Sequence, residues 1–124
     1  MKLQHYEINA GVALCRATHG AFLVDVRTPG EFHSGHIPGS VNLPLERLET
    51  APLPVGPLFV YCRSGQRSRT ACRILASRGV EAADLGGLLA YRGKLCRDSL
   101  PAIQIQFSKS DAEIHRTPSF CVLI

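Results

Sequence analysis

The chain has 124 residues, enough for one domain with a hydrophobic core but too few for two of ordinary size. Hydrophobic residues make up 45% and charged residues 19%, and the longest apolar runs fall far short of the roughly 20 residues that a membrane helix requires. The net charge of +4 would admit nucleic-acid binding, but apart from one arginine cluster the basic residues are scattered. We therefore expect one domain with a tail, no membrane or nucleic-acid partner, and a small anion as ligand.

The first residues and the cysteines indicate the compartment. The N-terminal residues contain neither an apolar segment nor a small-residue cleavage site, so we expect no secretory signal and a cytoplasmic location. The five cysteines are odd in number and lack Cys-x-x-Cys spacing, which argues against a disulfide framework and a zinc site. We expect ordinary buried thiols at Cys15, Cys72 and Cys96, a hydrophobic tail residue at Cys121, and no cofactor or metal.

The first third of the chain predicts alternating strands and helices. An edge strand at 6–8 precedes a helix that is capped by Asn9 and ends near Gly20. The apolar run 21–26 predicts a strand that is buried on both faces. Thr28, Pro29 and Glu31 then stand in the order of a helix cap, a first helical residue and a capping-box partner. A short helix is therefore expected to follow the strand.

The connection to the middle of the chain is rich in turn residues. Residues 34–40 contain too much glycine and proline for regular structure and predict a fixed turn. A brief strand at 41–43 is followed by a helical stretch that Pro44 opens. Three prolines in 51–57 predict an extended connection into the next strand.

Residues 58–68 are the stretch on which the functional interpretation depends. The segment 58–61 predicts a buried strand, and 68–78 predicts a helix that ends at Gly79. Between them lies Cys62, followed by a short polar loop that contains Gly65. A thiol is a nucleophile only as thiolate, which cationic groups and a helix N-terminus stabilise. A strand that delivers a thiol into such a loop predicts an anion-binding cradle built around a nucleophile.

The remaining elements indicate the fold class. A strand at 80–85, the pair Gly86 and Gly87, and a final helix through Leu88 and Tyr91 complete the predicted domain. Strands that alternate with helices predict an α/β domain with a mostly parallel sheet. Ligands bind such sheets at the C-terminal ends of the strands, where the loop after Cys62 falls. We place this domain at 5–97 and a C-terminal extension of open role at 98–124, with a strand at 103–107 and a weak capping box at 110–113.

Charged side chains near the strand ends suggest their own roles. Cations in the first turn of a helix are unfavourable by about 0.3–1 kcal/mol each, yet Arg67 and Arg69 stand in or beside one. A local rule broken without structural gain often marks a functional site, so with Arg63 we expect them to attract an anion such as thiosulfate, a sulfinate or a phosphoryl group. Asp25 and Arg27 are expected to support neighbouring loops by hydrogen bonds and charge pairing. His33 and His36 are expected to make local hydrogen bonds.

Four motifs resemble those of the single-domain rhodaneses, a sulfurtransferase family. They are LVDVRTPGEF at 23–32, GHIPGSVN at 35–42, VYCRSGQRS at 60–68 and LGG at 85–87, in the family's order, and the resemblance covers roughly residues 5–95. It implies a mainly parallel five-stranded sheet flanked by helices on both faces. It also implies that Cys62 takes a sulfane sulfur from a small anionic donor as a persulfide and passes it to cyanide, a thiol or a protein cysteine. The residues implied in donor binding are Arg63, Ser64, Gly65, Gln66, Arg67 and Ser68.

Two alternatives stay open. The same fold resembles the catalytic domain of certain dual-specificity phosphatases, so a rhodanese-fold phosphatase or arsenate reductase-like enzyme is the enzymatic rival. The loop from Cys62 to Arg67 has six residues, one fewer than in those phosphatases, which favours sulfur transfer. A non-catalytic rhodanese-like binding or regulatory module is the other alternative, but such modules commonly lack the cysteine. The chain departs from the family at Tyr91, where a tryptophan is usual, and in the extension, which has no counterpart.

Overall fold

The computed structural model describes residues 4–98 and 121–123. The elements are β1 (Gln4–His5), α1 (Ile8–Ala17), β2 (Phe22–Asp25), α2 (Pro29–Ser34), β3 (Val41–Asn42), β4 (Leu58–Cys62), α3 (Gln66–Ser77), β5 (Ala82–Gly87), β6 (Cys96–Asp98) and β7 (Cys121–Leu123), with 3₁₀ turns at Leu45–Arg47 and Leu88–Ala90. The first five strands form one sheet in the order β1-β5-β4-β2-β3, and every neighbouring pair is parallel. The predicted α/β class and parallel sheet are therefore confirmed.

The central strand, β4, is buried along its whole length and sends alternate side chains to the two faces of the sheet. Leu58, Val60 and Cys62 pack in one hydrophobic cluster with residues of α3. Phe59 and Tyr61 pack in a second cluster with residues of α1. Helices thus cover both faces, as expected, and this is why the strand is apolar throughout. Cys62 belongs to the row of side chains that faces α3.

Of the two helices near the predicted site, one begins as the sequence predicts and the other begins two residues earlier. The capping box of α2 is present, since the Thr28 hydroxyl accepts from the Glu31 N–H at 3.2 Å and the Glu31 carboxylate accepts from the Thr28 N–H at 3.0 Å. Helix α3, however, begins at Gln66 rather than at 68. Gly65, with a φ of 108°, stands at the N-cap and makes no side-chain cap. The residue that caps α3 therefore has no polar side chain by which the sequence could indicate where the helix begins.

Elements at the two ends of the domain also differ from the sequence-based prediction. The edge strand is β1 at Gln4–His5 rather than 6–8, and Glu7 instead of Asn9 caps α1. The expected final helix after Gly87 is wrong, because only one 3₁₀ turn forms there. The N–H of Leu89 donates to the carbonyl of Arg63 at 3.2 Å, a partner outside any helix. This turn therefore belongs to the packing of the loop after β4.

The end of the described chain returns to the domain. Strand β6 pairs antiparallel with β7, and its Cys96 forms a two-bond backbone bridge with His36, at 2.8 and 2.7 Å. The predicted boundary between residues 97 and 98 thus falls inside a strand. The strand expected at 103–107 and the capping box at 110–113 lie outside the described residues. Within the described part of the chain, no helix is long and apolar enough to cross a membrane.

Candidate active site

Cys62 is the last residue of β4, at the edge of the sheet where parallel strands end. Its Sγ accepts a hydrogen bond from the backbone N–H of Gly65 at 2.9 Å. Cys62 is fully buried, whereas the next two residues, Arg63 and Ser64, are exposed. A backbone N–H in this position can hydrogen-bond to a sulfur that carries negative charge. The sulfur thus lies just beneath a surface loop, with one donor already aimed at it.

The backbone of the loop is shaped by a glycine and by the start of α3. Gly65 has a φ of 108°, in the left-handed region that side-chain-bearing residues rarely adopt. The first N–H groups of a helix have no intrahelical acceptor, and the N–H of Arg69 is bonded to the carbonyl of Gly65 at 3.2 Å. The N–H groups of Gln66 and Arg67 lie before that bond, at the positive end of the helix dipole. Together with Gly65 they are the donors available to the anion cradle that the sequence predicts, and we use that name for these three N–H groups while anion binding stays a prediction.

The end of β5 supports the loop from the side. A Cβ on Gly87 would lie 2.7 Å from the Cα of Ser64 and would also press on the carbonyl oxygen of Arg63. The backbone of Gly87, with a φ of −111°, is one that any residue adopts. Glycine is therefore required here for the close approach of two backbone segments. The Leu89 N–H, bonded to the Arg63 carbonyl, continues this contact.

Ser68, which is predicted among the donor-binding residues, lies beneath the loop and holds it in place. Its side chain is fully buried, and its hydroxyl lies 2.7 Å from a carboxylate oxygen of Asp84 and 3.1 Å from the carbonyl of Gly65. The same carboxylate oxygen accepts from the Gly86 N–H at 2.9 Å. Asp84 was not predicted as a site residue. An acidic residue inside the apolar strand at 80–85 was the signal that could have found it.

Arg67, which ends the six-residue loop, forms an ion pair with Glu31. The two guanidinium nitrogens lie 2.6 and 3.0 Å from the two carboxylate oxygens. Hydrogen bonding to Arg67 lowers the pKa of Glu31 well below its usual range, to about 2. The expectation that Arg67 stands at the helix start without structural gain is therefore wrong. Arg63 and Arg69 are exposed.

Asp25 and Arg27 form a buried pair at the end of β2. The Nε of Arg27 lies 3.0 Å from both carboxylate oxygens, and one Nη lies 2.6 Å from the carboxylate and 2.7 Å from the carbonyl of Gly35. The amide of Asn42 donates to the carbonyls of both residues, at 3.0 and 2.9 Å. The pair thus joins three chain segments next to the site. This geometry fits the supporting role expected for it, which we retain as a proposal.

The remaining candidate side chains lie apart from the cradle. The Nδ1 of His36 lies 2.8 Å from the carbonyl of Phe32, and the His36 and Phe32 rings stack.

Cys15 and Cys72 are free thiols, and burial raises their pKa to about 11 and about 12. Cys96 is disulfide-bonded, so the expectation of an ordinary thiol is wrong. Within residues 4–98, no cluster of His, Cys, Asp or Glu could hold a metal ion.

Comparison with known proteins adds an independent observation. The family model described as Rhodanese-like domain matches residues 12–94. A sulfurtransferase of Allochromatium vinosum is 35% identical over 92 residues, which cover 69% of this chain and 81% of that protein. Thiosulfate sulfurtransferase PspE of Escherichia coli is 37% identical over 71 residues, which cover 52% of this chain and 68% of that protein. A solved rhodanese homologue of Thermus thermophilus superimposes with a TM-score of 0.58 at 32% identity, over 70% of this chain and 99% of the other.

Other relatives are longer than the region they share with this chain. In two further curated relatives, the chain covers 46% and 64% of their own length.

Proposed function

The chain belongs to the rhodanese-like domain family, and from that premise we propose that it is a sulfurtransferase working through a persulfide on Cys62. The donor in this proposal is thiosulfate or a related anion that carries a sulfane sulfur. The acceptor is thiophilic: cyanide, a small thiol or a cysteine of another protein. The hydrogen bond from the Gly65 N–H to the Cys62 sulfur supports the proposal most directly, because it joins the nucleophile to the anion cradle.

The proposed reaction has two steps. The Cys62 thiolate attacks the sulfane sulfur of thiosulfate, the S–S bond of the donor breaks, and sulfite leaves with the electron pair of that bond. The enzyme then carries a persulfide anion, whose terminal sulfur would lie in the cradle. The acceptor attacks this terminal sulfur, and the Cys62 thiolate leaves with the electron pair of the persulfide bond. No redox cofactor is needed, since each step exchanges one sulfur bond for another.

The loop residues have distinct parts in this scheme. The backbone N–H groups of Gly65, Gln66 and Arg67 receive the negative charge of the persulfide. The exposed side chains of Arg63 and Ser64 meet the donor first as it approaches. These assignments keep five of the six predicted donor-binding residues and give Ser68, whose hydroxyl bonds to Asp84, a supporting part.

The proposal is tested by the mass of the intact protein after incubation with thiosulfate. The wild type is expected to gain one sulfur atom, and Cys62→Ser is expected to gain none. Cys72→Ser is the matched control, because it removes a thiol that is buried in the same hydrophobic cluster, and it should load as the wild type does. An adduct that survives Cys62→Ser would sink the proposal.

The phosphatase and arsenate reductase alternative makes a different prediction. In addition to the short loop, the guanidinium of Arg67 is engaged by Glu31 and is not free to bind the oxygens of a phosphate. We therefore expect no turnover of an aryl phosphate at rates that match sulfur loading. A non-catalytic binding module would show neither activity, even with Cys62 intact.

A further inference from the structure

The ion pair between Glu31 and Arg67 joins the start of α2 to the start of α3, 36 residues apart in sequence. About a third of each side chain is exposed, at 31% and 34%, so the pair lies at the surface beside the loop. Glu31 is held in place by a second set of contacts, since its Oε1 also accepts from the N–H and hydroxyl of Thr28 at 3.0 and 3.2 Å. The carboxylate is thus fixed beside the cradle by two independent groups of atoms.

This arrangement changes the charge that an approaching donor meets. The cradle attracts anions through N–H groups, the dipole of α3 and the cations of the loop. Glu31 places a full negative charge directly on one of those cations. A guanidinium in a two-bond pair with a carboxylate offers little net charge to a third group. The cradle therefore presents one positive charge fewer than its arginines suggest.

We propose that Glu31 is a specificity-determining residue, which through its pair with Arg67 lowers the preference of Cys62 for doubly charged donors over singly charged ones. It acts as a positioning residue through Arg67 and does not touch the sulfur. The favoured class is then the singly charged sulfane donors, such as organic persulfides and thiosulfonates, with thiosulfate still accepted. The kind of donor rests on the proposed function, whereas the charge effect at Cys62 does not.

Two donors of nearly the same chemistry isolate the charge. Thiosulfate has two negative charges, and methanethiosulfonate has a methyl group in place of one charged oxygen and so has a single negative charge. Both present a sulfane sulfur bonded to a sulfonyl sulfur. The Cys62 thiolate forms a persulfide with either, and the leaving group is sulfite from the first and methanesulfinate from the second. The ratio of their loading rates at Cys62 therefore reports the electrostatic preference of the cradle.

The experiment measures this ratio in the wild type and in four variants of the full chain. In Glu31→Gln the amide oxygen still accepts from Thr28, but the charge is lost. The ratio of thiosulfate to methanethiosulfonate loading should rise by about threefold or more, the effect of one nearby charge in a high effective dielectric. It should fall back towards the wild-type value in strong salt. A ratio that stays the same or falls in Glu31→Gln overturns the inference.

The other variants show whether the effect passes through Arg67. Glu81→Gln removes the same charge from an exposed residue just before β5. Glu81 stands at the opposite end of that strand from Gly87, which contacts the loop, so the ratio should stay unchanged. Arg67→Gln alone should lower the ratio, because it leaves the negative charge of Glu31 unpaired beside the cradle. In the double variant Glu31→Gln/Arg67→Gln the rise should disappear. A rise that persists without Arg67 would refute the proposed route.

A second readout separates this inference from the proposed function. The rates at which iodoacetate and iodoacetamide alkylate Cys62 differ by one charge on the reagent and need no sulfur transfer. Glu31→Gln should increase the iodoacetate-to-iodoacetamide ratio at Cys62, as mapped by peptide mass. If the wild type never forms a persulfide, the proposed function fails while this ratio still decides the role of Glu31. If sulfur loads but neither ratio changes, only the role of Glu31 fails.

Discussion

The hydroxyl of Ser68 donates a 2.7 Å hydrogen bond to the carboxylate of Asp84, which joins the first turn of α3 to β5. Both side chains are buried, and Asp84 also accepts from the N–H of Gly86. A buried carboxylate is costly unless hydrogen bonds satisfy it. The Asp84 carboxylate on the sheet therefore holds the start of α3 in place, and the Ser68 hydroxyl in turn satisfies one oxygen of that carboxylate.

Ser68→Ala should weaken both stability and activity. The substitution leaves Asp84 with one hydrogen bond fewer in a buried position, which should lower the free energy of unfolding by about 1–3 kcal/mol. It also frees Gly65, whose N–H contacts the thiol, so loading of Cys62 should slow. Urea denaturation and intact mass measure the two effects. Ser77→Ala is the control, because that hydroxyl bonds only a carbonyl near the exposed end of α3, and its loss should be nearly neutral.

Gly87→Ala should displace the cradle while leaving the fold intact. The new methyl group collides with the backbone of Arg63 and Ser64, which must move away from β5. We expect loading of Cys62 to fall by at least about tenfold, since misplacement by about 1 Å can cost more than that in a preorganised site. Gly30→Ala is the matched control, as a methyl group there meets nothing and improves helix propensity. Equal activity in the two variants would contradict the close-packing argument.

The ion pair of Glu31 predicts a defined acid dependence of stability. The pKa of Glu31 is lowered from 4.5 to about 2, mainly by hydrogen bonding to Arg67, so the pair stabilises the folded state above pH 4.5. That contribution, on the order of 1 kcal/mol for a partly exposed pair, should disappear as the pH falls through about 2. The difference in unfolding free energy between the wild type and Glu31→Gln should therefore narrow between these values. A difference that stays constant with pH would show that the pair does not contribute.

The disulfide at Cys96 can be tested by differential labelling. In denatured, unreduced protein, iodoacetamide should label Cys15, Cys62 and Cys72 but should label Cys96 only after reduction. Disulfides persist mainly in oxidising compartments, so this result would weigh against the cytoplasmic location expected from the sequence. Full labelling of Cys96 in protein alkylated at the moment of cell lysis would favour the cytoplasm instead. In either case Cys121 is mapped in the same experiment.

Features that depend on near neighbours could be predicted from the sequence. The capping box of Thr28 and Glu31 spans three residues, and the buried strand before Cys62 shows itself as an unbroken apolar run. The start of α3 was misplaced because Gly65 caps the helix with its backbone conformation and offers no polar side chain to recognise. The error is two residues, but it moves Gln66 and Arg67 from the loop into the helix.

Features that depend on distant residues could not be predicted. The carboxylate that pairs with Arg67 belongs to Glu31 in α2, 36 residues away in sequence. No residue near Arg67 in sequence indicates this pairing, so the sequence alone predicts an unpaired cation. The apolar spacing after Gly87 indicated a helix, yet Leu89 is 71% exposed and its N–H bonds to Arg63. Local periodicity cannot show that the chain is needed there to hold another loop.

Cys62 shares one row of side chains with Leu58 and Val60, beneath α3. For protein engineering, this means that the packing of this half of the core positions the sulfur on which the proposed reaction depends. A larger or smaller residue at Val60 changes the separation of β4 from α3, and with it the height of the sulfur below the loop. Attempts to raise thermal tolerance have more freedom on the other face, for example at Phe59, where a change in volume is taken up by α1. Selection for heat resistance and selection for turnover would be expected to leave their substitutions on opposite sides of the same strand.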